Sequence, residues 1–144
     1  MGDGSQKRHI AKTITWRIVG TIDTILLSWI ISGNPLTGLK IGFSEVLTKM
    51  LLYYLHERAW FKINLSKDGK ILESSKRHLA KTITWRMVGT IDTMILSWVI
   101  SGDPLIGLKV GLAEVTTKMI LYYLHERAWY RSNFGLEERT NKEE

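Results

Sequence analysis

The run Ile25-Leu26-Leu27-Ser28-Trp29-Ile30-Ile31, broken at once by Ser32-Gly33-Asn34-Pro35, decides how this chain is read. Gly, Asn and Pro in succession mark a tight turn, and Pro35 suits the first turn of a following helix. Beyond the turn, Met50-Leu51-Leu52-Tyr53-Tyr54-Leu55 is the counterpart of the first run. Both stretches are apolar around the whole helix, whereas a helix on the surface of a water-soluble bundle keeps a polar face. On either side of the turn no breaker is strong enough to stop a helix. The pattern predicts a helical hairpin with arms Ala11–Ile31 and Leu36–Leu55. At ~1.5 Å rise per residue each arm is roughly 30 Å long, one bilayer core.

The hairpin occurs twice. Lys7 to Phe61 aligns without gaps on Lys76 to Tyr130 at an offset of 69, with 42 of 55 positions identical. The 13 exchanges are mostly apolar for apolar, among them Ile10/Leu79, Ile18/Met87, Ile30/Val99 and Phe43/Leu112. A self-similarity of this kind sets the architecture before any other feature. The expected organisation is a first hairpin repeat over 1–61, a basic cytoplasmic linker over 62–75, a second repeat over 76–130 and a charged tail over 131–144.

Twenty lysines and arginines stand against 14 acids in 144 residues, and the mean hydropathy is −0.05. That balance admits either a soluble basic bundle, which would bind nucleic acid, or a membrane protein with charged ends. The absence of cysteine excludes disulfide scaffolds, thiolate metal sites and cysteine nucleophiles. Arg17, Asp23, Lys40, Glu45 and Lys49 interrupt the arms, so no run of 18 uncharged residues exists. The placement of charge favours the membrane. The turns Ser32–Leu39 and Ser101–Leu108 hold no lysine or arginine. The opposite ends of the arms, the linker and the tail hold fourteen, from Lys7 to Lys142. Basic segments stay in the cytoplasm, so both termini are expected on the cytoplasmic side of the membrane. Trp16, Trp60, Trp85 and Trp129 fall near the inner headgroups, where amphipathic rings prefer to sit. Anionic lipid then accounts for the basic excess without nucleic acid. No cleavable signal peptide is expected, the myristoylation pattern fails at Gln6, and the sequon Asn64-Leu65-Ser66 falls in the cytoplasmic linker.

Lys12-Thr13-Ile14-Thr15-Trp16-Arg17, Thr21-Ile22-Asp23-Thr24 and Glu45-Val46-Leu47-Thr48-Lys49, running into Tyr53-Tyr54-Leu55-His56-Glu57-Arg58-Ala59-Trp60, recur at Lys81–Arg86, Thr90–Thr93 and Glu114–Trp129. This composite resembles domain-of-unknown-function family 2061, small prokaryotic membrane proteins. The likeness covers both units, about 110 of the 144 residues. It implies an integral membrane hairpin and assigns no catalytic or binding residue. Some members look to be fused to sulfate-activating kinases, a pointer to sulfur metabolism. Many members look to carry one unit, so the duplication is a departure.

Folding the arms at residue 34 levels Asp23 with Glu45 near the midplane, Arg17 with Lys49 and Met50, and Lys12 with His56. A helical wheel gathers Gly38, Gly42, Glu45, Lys49 and His56 on one face of the second arm. Thr13, Arg17, Gly20, Thr21, Thr24 and Ser28 share a face of the first, with Asp23 at its edge. Charges at this depth cost several kcal/mol unless paired or hydrated, so these faces point inward. Gly38-x-x-x-Gly42 and Gly107-x-x-x-Gly111 let helices approach closely along the same seam. The fold expected is therefore all-α and integral to the membrane. Four transmembrane helices form two tandem hairpins related by a pseudo-twofold axis along the membrane normal. A homodimer would set four hairpins about that axis.

Two readings of the charges stand side by side. In one, Arg17 neutralises Glu45 or Asp23, and Lys49 pairs with Glu45 four residues earlier. The protein is then a structural or assembly subunit whose cytoplasmic face recruits a partner. In the other, Asp23, Glu45, Asp92 and Glu114 line a polar path for an ion or small anion. Arg17, Lys49, Arg86 and Lys118 then form a basic vestibule below them, and the protein is a channel or transporter. The motif His56-Glu57-Arg58-Ala59-Trp60, repeated as His125, Glu126, Arg127 and Trp129, is not the zinc signature H-E-x-x-H. Its expected role is interfacial, with Tyr53, Tyr54 and Trp60 at the headgroups and Arg58 on phosphate. The one route to a metal would bring His56 and Glu57 to His125 and Glu126 across the pseudo-twofold, and none is expected. No group orients a base against a nucleophile and there is no glycine-rich phosphate loop, so neither an enzyme nor a cofactor is expected.

Overall fold

The chain folds into four helices, α1 (Asp3–Ser32), α2 (Pro35–Asn64), α3 (Ser75–Ser101) and α4 (Pro104–Arg131). The computed structural model describes residues 3–64 and 74–135, and among these there is no strand. Both sharp turns lie where the Gly-Asn/Asp-Pro steps put them. Gly33 (φ 72°) and Gly102 (φ 77°) take the left-handed conformation that only glycine adopts without penalty. Their N–H groups donate back to the carbonyls of Trp29 (2.7 Å) and Trp98 (2.8 Å), closing α1 and α3. Asn34 and Asp103 then cap the next helix: their Oδ1 atoms accept from the N–H of Leu36 (2.9 Å) and Leu105 (2.8 Å).

The helices outrun the apolar arms. α1 and α2 are each 30 residues long, because the polar ends Lys7–Ile10 and His56–Ile63 contain no breaker and simply continue the helix. Lys62 is the last-turn cation of α2, and Ser74 is the N-cap of α3, its side chain accepting from the N–H of Arg77 (3.3 Å). Of the expected linker, residues 65–73 lie outside the described residues, as do 136–144 of the tail.

Near the turns each hairpin closes on itself. Gly42 faces Ile25 and Gly38 faces Trp29, one residue off the register that levels Asp23 with Glu45. Towards the chain ends the polar contacts run between units, α1 with α4 and α2 with α3. Lys12 pairs with Glu126 and Lys81 with Glu57, each at 2.6 Å. Thr15 meets His125 (2.8 Å) and Thr84 meets His56 (2.9 Å). The indoles of Trp129 and Trp60 donate to the same threonines at 3.1 Å. Trp16 stands edge-on to Tyr122, and Trp85 to Tyr53, both at 5.2 Å. The expected Lys12–His56 meeting within a hairpin is replaced by these crossings. Arg8 adds a clasp, donating to the carbonyls of Ser132 (3.0 Å) and Phe134 (2.6 Å) beyond the end of α4.

The interior is polar and the exterior is apolar. Among the described residues the fully or nearly buried side chains are Asp23, Thr24, Ser28, Glu45, Thr93, Ser97 and Glu114, joined by only two hydrophobic ones, Ile41 and Val110. Ile14, Ile18, Ile22, Leu47, Leu51, Val99 and Met119 are all exposed. A water-soluble bundle has the reverse arrangement. By length and composition α1 alone, over Gly4–Ser32 with hydropathy 1.4, is apolar enough to cross a bilayer. In α2 and α4 any stretch of 18 residues contains at least three charges, and α3 has Met87, Met94 and Val99 where α1 has isoleucines.

The glycine seam sets a test. A methyl group on Gly38 would stand 2.6 Å from the carbonyl oxygen of Ile25 and 3.0 Å from the backbone nitrogen of Trp29, which cannot move alone. On Gly42 it would overlap Cγ1 of Ile25, so that this β-branched side chain would have to turn aside while the backbone could stay. Gly38→Ala with Gly107→Ala is therefore expected to cost about 1–3 kcal/mol per site. Gly42→Ala with Gly111→Ala should cost clearly less. Thermal unfolding of the two double variants in detergent gives the order, and equal midpoints would contradict the backbone contact.

Candidate functional site

Glu45 and Lys49 lie one turn apart on α2, and Glu114 and Lys118 one turn apart on α4, so each ammonium falls on the carboxylate four residues back. The two pairs are brought together at the centre of the bundle. Lys49 also donates to Thr93 Oγ1 (2.8 Å) and lies 3.8 Å from Glu114 Oε1. Lys118 donates to Thr24 Oγ1 (3.0 Å) and lies 3.5 Å from Glu45 Oε1. Each lysine therefore bridges both carboxylates, whose side chains are only 6% exposed. Asp23 and Asp92 flank this tetrad and face other partners: Thr117 donates to Asp23 (2.9 Å) and Thr48 to Asp92 (2.8 Å). Each of these contacts joins one unit to the other and occurs a second time with the units exchanged.

Arg17 and Arg86 do not join the tetrad. Asp23 lies six residues along α1 from Arg17, towards the opposite side of the helix, and the i,i+4 lysine already occupies Glu45. Nor do Lys49 and Lys118 stand with the arginines below the carboxylates, since they are locked between them. The guanidinium groups of Arg17 and Arg86 make no hydrogen bond or ion pair among the described residues. Both line a cavity of about 960 Å³ that the tetrad also lines. Most of its walls come in equivalent pairs, one from each unit: Trp16/Trp85, Arg17/Arg86, Gly20/Gly89, Thr21/Thr90, Thr24/Thr93, Gly42/Gly111, Glu45/Glu114, Val46/Val115 and Lys49/Lys118, while Thr13, Ile18, Ile22, Ile25, Phe43 and Tyr53 of the first unit line it without a counterpart. Four cationic groups thus face two carboxylates.

The His-Glu-Arg-Ala-Trp motifs lie towards the chain ends. His56 packs between Trp60 and Trp85 on the α2–α3 seam, and His125 between Trp129 and Trp16 on the α1–α4 seam. The two histidines thus belong to separate seams. Among the described residues no group of three His, Asp or Glu converges as a metal requires. Glu57 and Glu126 reach across to lysines, while Arg58 and Arg127 point outward onto the hydroxyls of Tyr54 and Tyr123, both at 2.8 Å. The hydrogen bond from Lys12 holds the Glu126 carboxyl below its ordinary value of 4.5, and the ammonium charge adds to it.

Sequence reasoning put Thr24 on the inward face but gave the threonines no partners. Thr15, Thr24, Thr48, Thr84, Thr93 and Thr117 make hydrogen bonds across units, and their signal is their position beside a charge or one turn after it in both copies.

The chain belongs to the family described as "Predicted membrane protein (DUF2061)", which matches it twice, over residues 10–61 and 79–130. The two matches coincide with the two hairpins, as a tandem duplication requires. No curated protein and no solved structure matches the chain.

Breaking the tetrad one-sidedly should be expensive. Lys49→Met leaves two buried carboxylates with one cation, for which about 3–5 kcal/mol of destabilisation is expected. Adding Glu45→Leu, which removes the orphaned charge with its partner, should recover much of it. Unfolding of the single and double variants in detergent measures this. A Lys49→Met protein as stable as the parent would show that the tetrad carries no such coupling.

Proposed function

We propose that the protein is a multi-pass inner-membrane channel or carrier for a small ion, with the two-unit cavity as its path. The reading rests on one observation: a cavity lined largely at equivalent positions by both units and reaching a buried cluster of opposite charges. Intramembrane ionisable groups around a cavity are the usual marks of an ion pathway. The inside-out distribution of side chains, the family and the one-sided placement of lysine and arginine all support four spans with both termini in the cytoplasm. The exchange of contacts between units supports a pseudo-twofold axis along the membrane normal, with the tetrad on it.

One observation favours a second reading. Every carboxylate of the set is held by lysine or threonine, as in a structural subunit whose charges fix register.

Topology is checked first. Asn34→Cys should react with an impermeant thiol reagent on intact cells, and Lys62→Cys only after the membrane is opened. Labelling of both sites only after opening would remove the spans and the path with them. In proteoliposomes, Glu45→Gln with Glu114→Gln should then change ion flux or its pH dependence while the protein still inserts. Unchanged flux through a well-folded double variant sinks the path reading. Loss of stability, with no flux in the parent protein, selects the structural one.

A further inference from the structure

We infer that the cavity binds a divalent oxyanion between Arg17 and Arg86, an assignment that rests on the path reading and gives it a sign. The argument starts from what the other charges are doing. Lys49 and Lys118 are taken up by Glu45 and Glu114, and those are the two carboxylates that line the cavity. Asp23 and Asp92 do not line it and are engaged by Thr117 and Thr48. The cavity therefore keeps two positive charges, both guanidinium, and a guanidinium does not escape by losing its proton. Both arginines are exposed on the cavity wall, open to a ligand from outside, and among the described residues neither guanidinium has a carboxylate partner.

One dianion would neutralise both arginines at once. The guanidinium fork matches the paired oxygens of phosphate-like and carboxylate groups, which selects oxyanions over spherical halides. Each unit supplies one arginine, so the site is half-built in either unit alone, and the two halves are equivalent. The volume of about 960 Å³ leaves room for the anion together with its water. A phosphate group at such a site can be dissolved in the cytoplasm or belong to a lipid headgroup. The chemistry is the same and the source is separable.

The full-length protein, stripped of lipid in a neutral detergent, is titrated with inorganic phosphate at about pH 8, where it is mainly dianionic. Trp16 and Trp85 line the same cavity beside the arginines and report binding by fluorescence. A saturable change is expected with phosphate and none with nitrate at equal ionic strength. Arg17→Gln and Arg86→Gln should each weaken half-saturation about tenfold and equally, and the double variant should abolish it. Arg17→Lys with Arg86→Lys keeps the charge without the fork and should bind measurably but more weakly, which separates loss of a ligand contact from misfolding. Repeating the titration in nanodiscs separates the sources. Competition by phosphatidic acid, whose monoester phosphate carries the same double charge, identifies the anion as a headgroup, and indifference to it identifies a free anion. No titration in the parent protein, an equal response to nitrate, or an unaltered titration in the double glutamine variant overturns the proposal. Phosphate binding without flux keeps the site and removes the path. Flux of a cation without phosphate binding keeps the path and removes the anion.

Discussion

The constraint on which the rest of this structure depends is that four charges share one small volume away from bulk water. Lys49 and Lys118 each lie within ion-pair reach of both Glu45 and Glu114. Two unit charges about 4 Å apart attract by roughly 4 kcal/mol at an effective dielectric of about 20. Taking each ion out of water costs several kcal/mol. The two terms are of similar size, so the tetrad adds little net stability and a great deal of selectivity. A helix slid by one turn, or a unit rotated away, would keep the desolvation cost and lose the attraction. The hydrogen bonds from Thr24 and Thr93 work in the same direction, because they come from the other unit and exist only in this register.

Cohesion must then come from elsewhere, and the distribution of side chains says where. With only Ile41 and Val110 as fully buried hydrophobic side chains, there is no oily core to collapse. Helix contact rests instead on close approach at Gly38, Gly42, Gly107 and Gly111 and on hydrogen bonds between units, the means available to helices whose surroundings are as apolar as their own side chains. The same distribution explains why hydropathy alone picks out only α1. A window average counts Lys40, Glu45 and Lys49 as equal obstacles. In the fold Glu45 and Lys49 turn inward and neutralise each other, while Lys40 is exposed near the turn, where its stem can carry the charge outward.

Much of this was legible in the sequence. The turn at Ser32–Pro35, the duplication, the inward face of Gly38, Gly42, Glu45 and Lys49, and the Lys49–Glu45 pair all follow from local rules of helix geometry and composition. The partners across units were not legible, for a specific reason. A helical wheel says which face a residue occupies and is silent about which neighbour meets that face. Here the duplication makes the silence complete. Glu57 and Glu126 are the same residue in the same local sequence, so nothing in the chain distinguishes Lys12 reaching its own unit from Lys12 reaching the other. The reading in which Arg17 neutralises Glu45 or Asp23 is not the arrangement found, because Lys49 already holds Glu45 from four residues on and Asp23 points to a different side of α1 from Arg17.

The 13 positions at which the units differ carry the last part of the argument. None of them makes the polar contacts between units: Lys12, Thr15, Asp23, Thr24, Glu45, Thr48, Lys49, His56, Glu57 and Trp60 are each matched by an identical residue 69 positions on. The exchanges fall instead on side chains that point out, such as Ile10/Leu79, Ile30/Val99, Phe43/Leu112 and Leu51/Ile120, all exposed. An interior of hydrogen bonds and ion pairs tolerates no change of group, because each group has a partner at a fixed distance. An apolar exterior asks only for bulk and greasiness. Two copies held to an exchangeable interior therefore diverge mostly where they face their surroundings. The buried exchange, Ile41/Val110, differs by a single methylene, and half-buried Ile25/Met94 swaps one apolar group for another against Gly42 and Gly111.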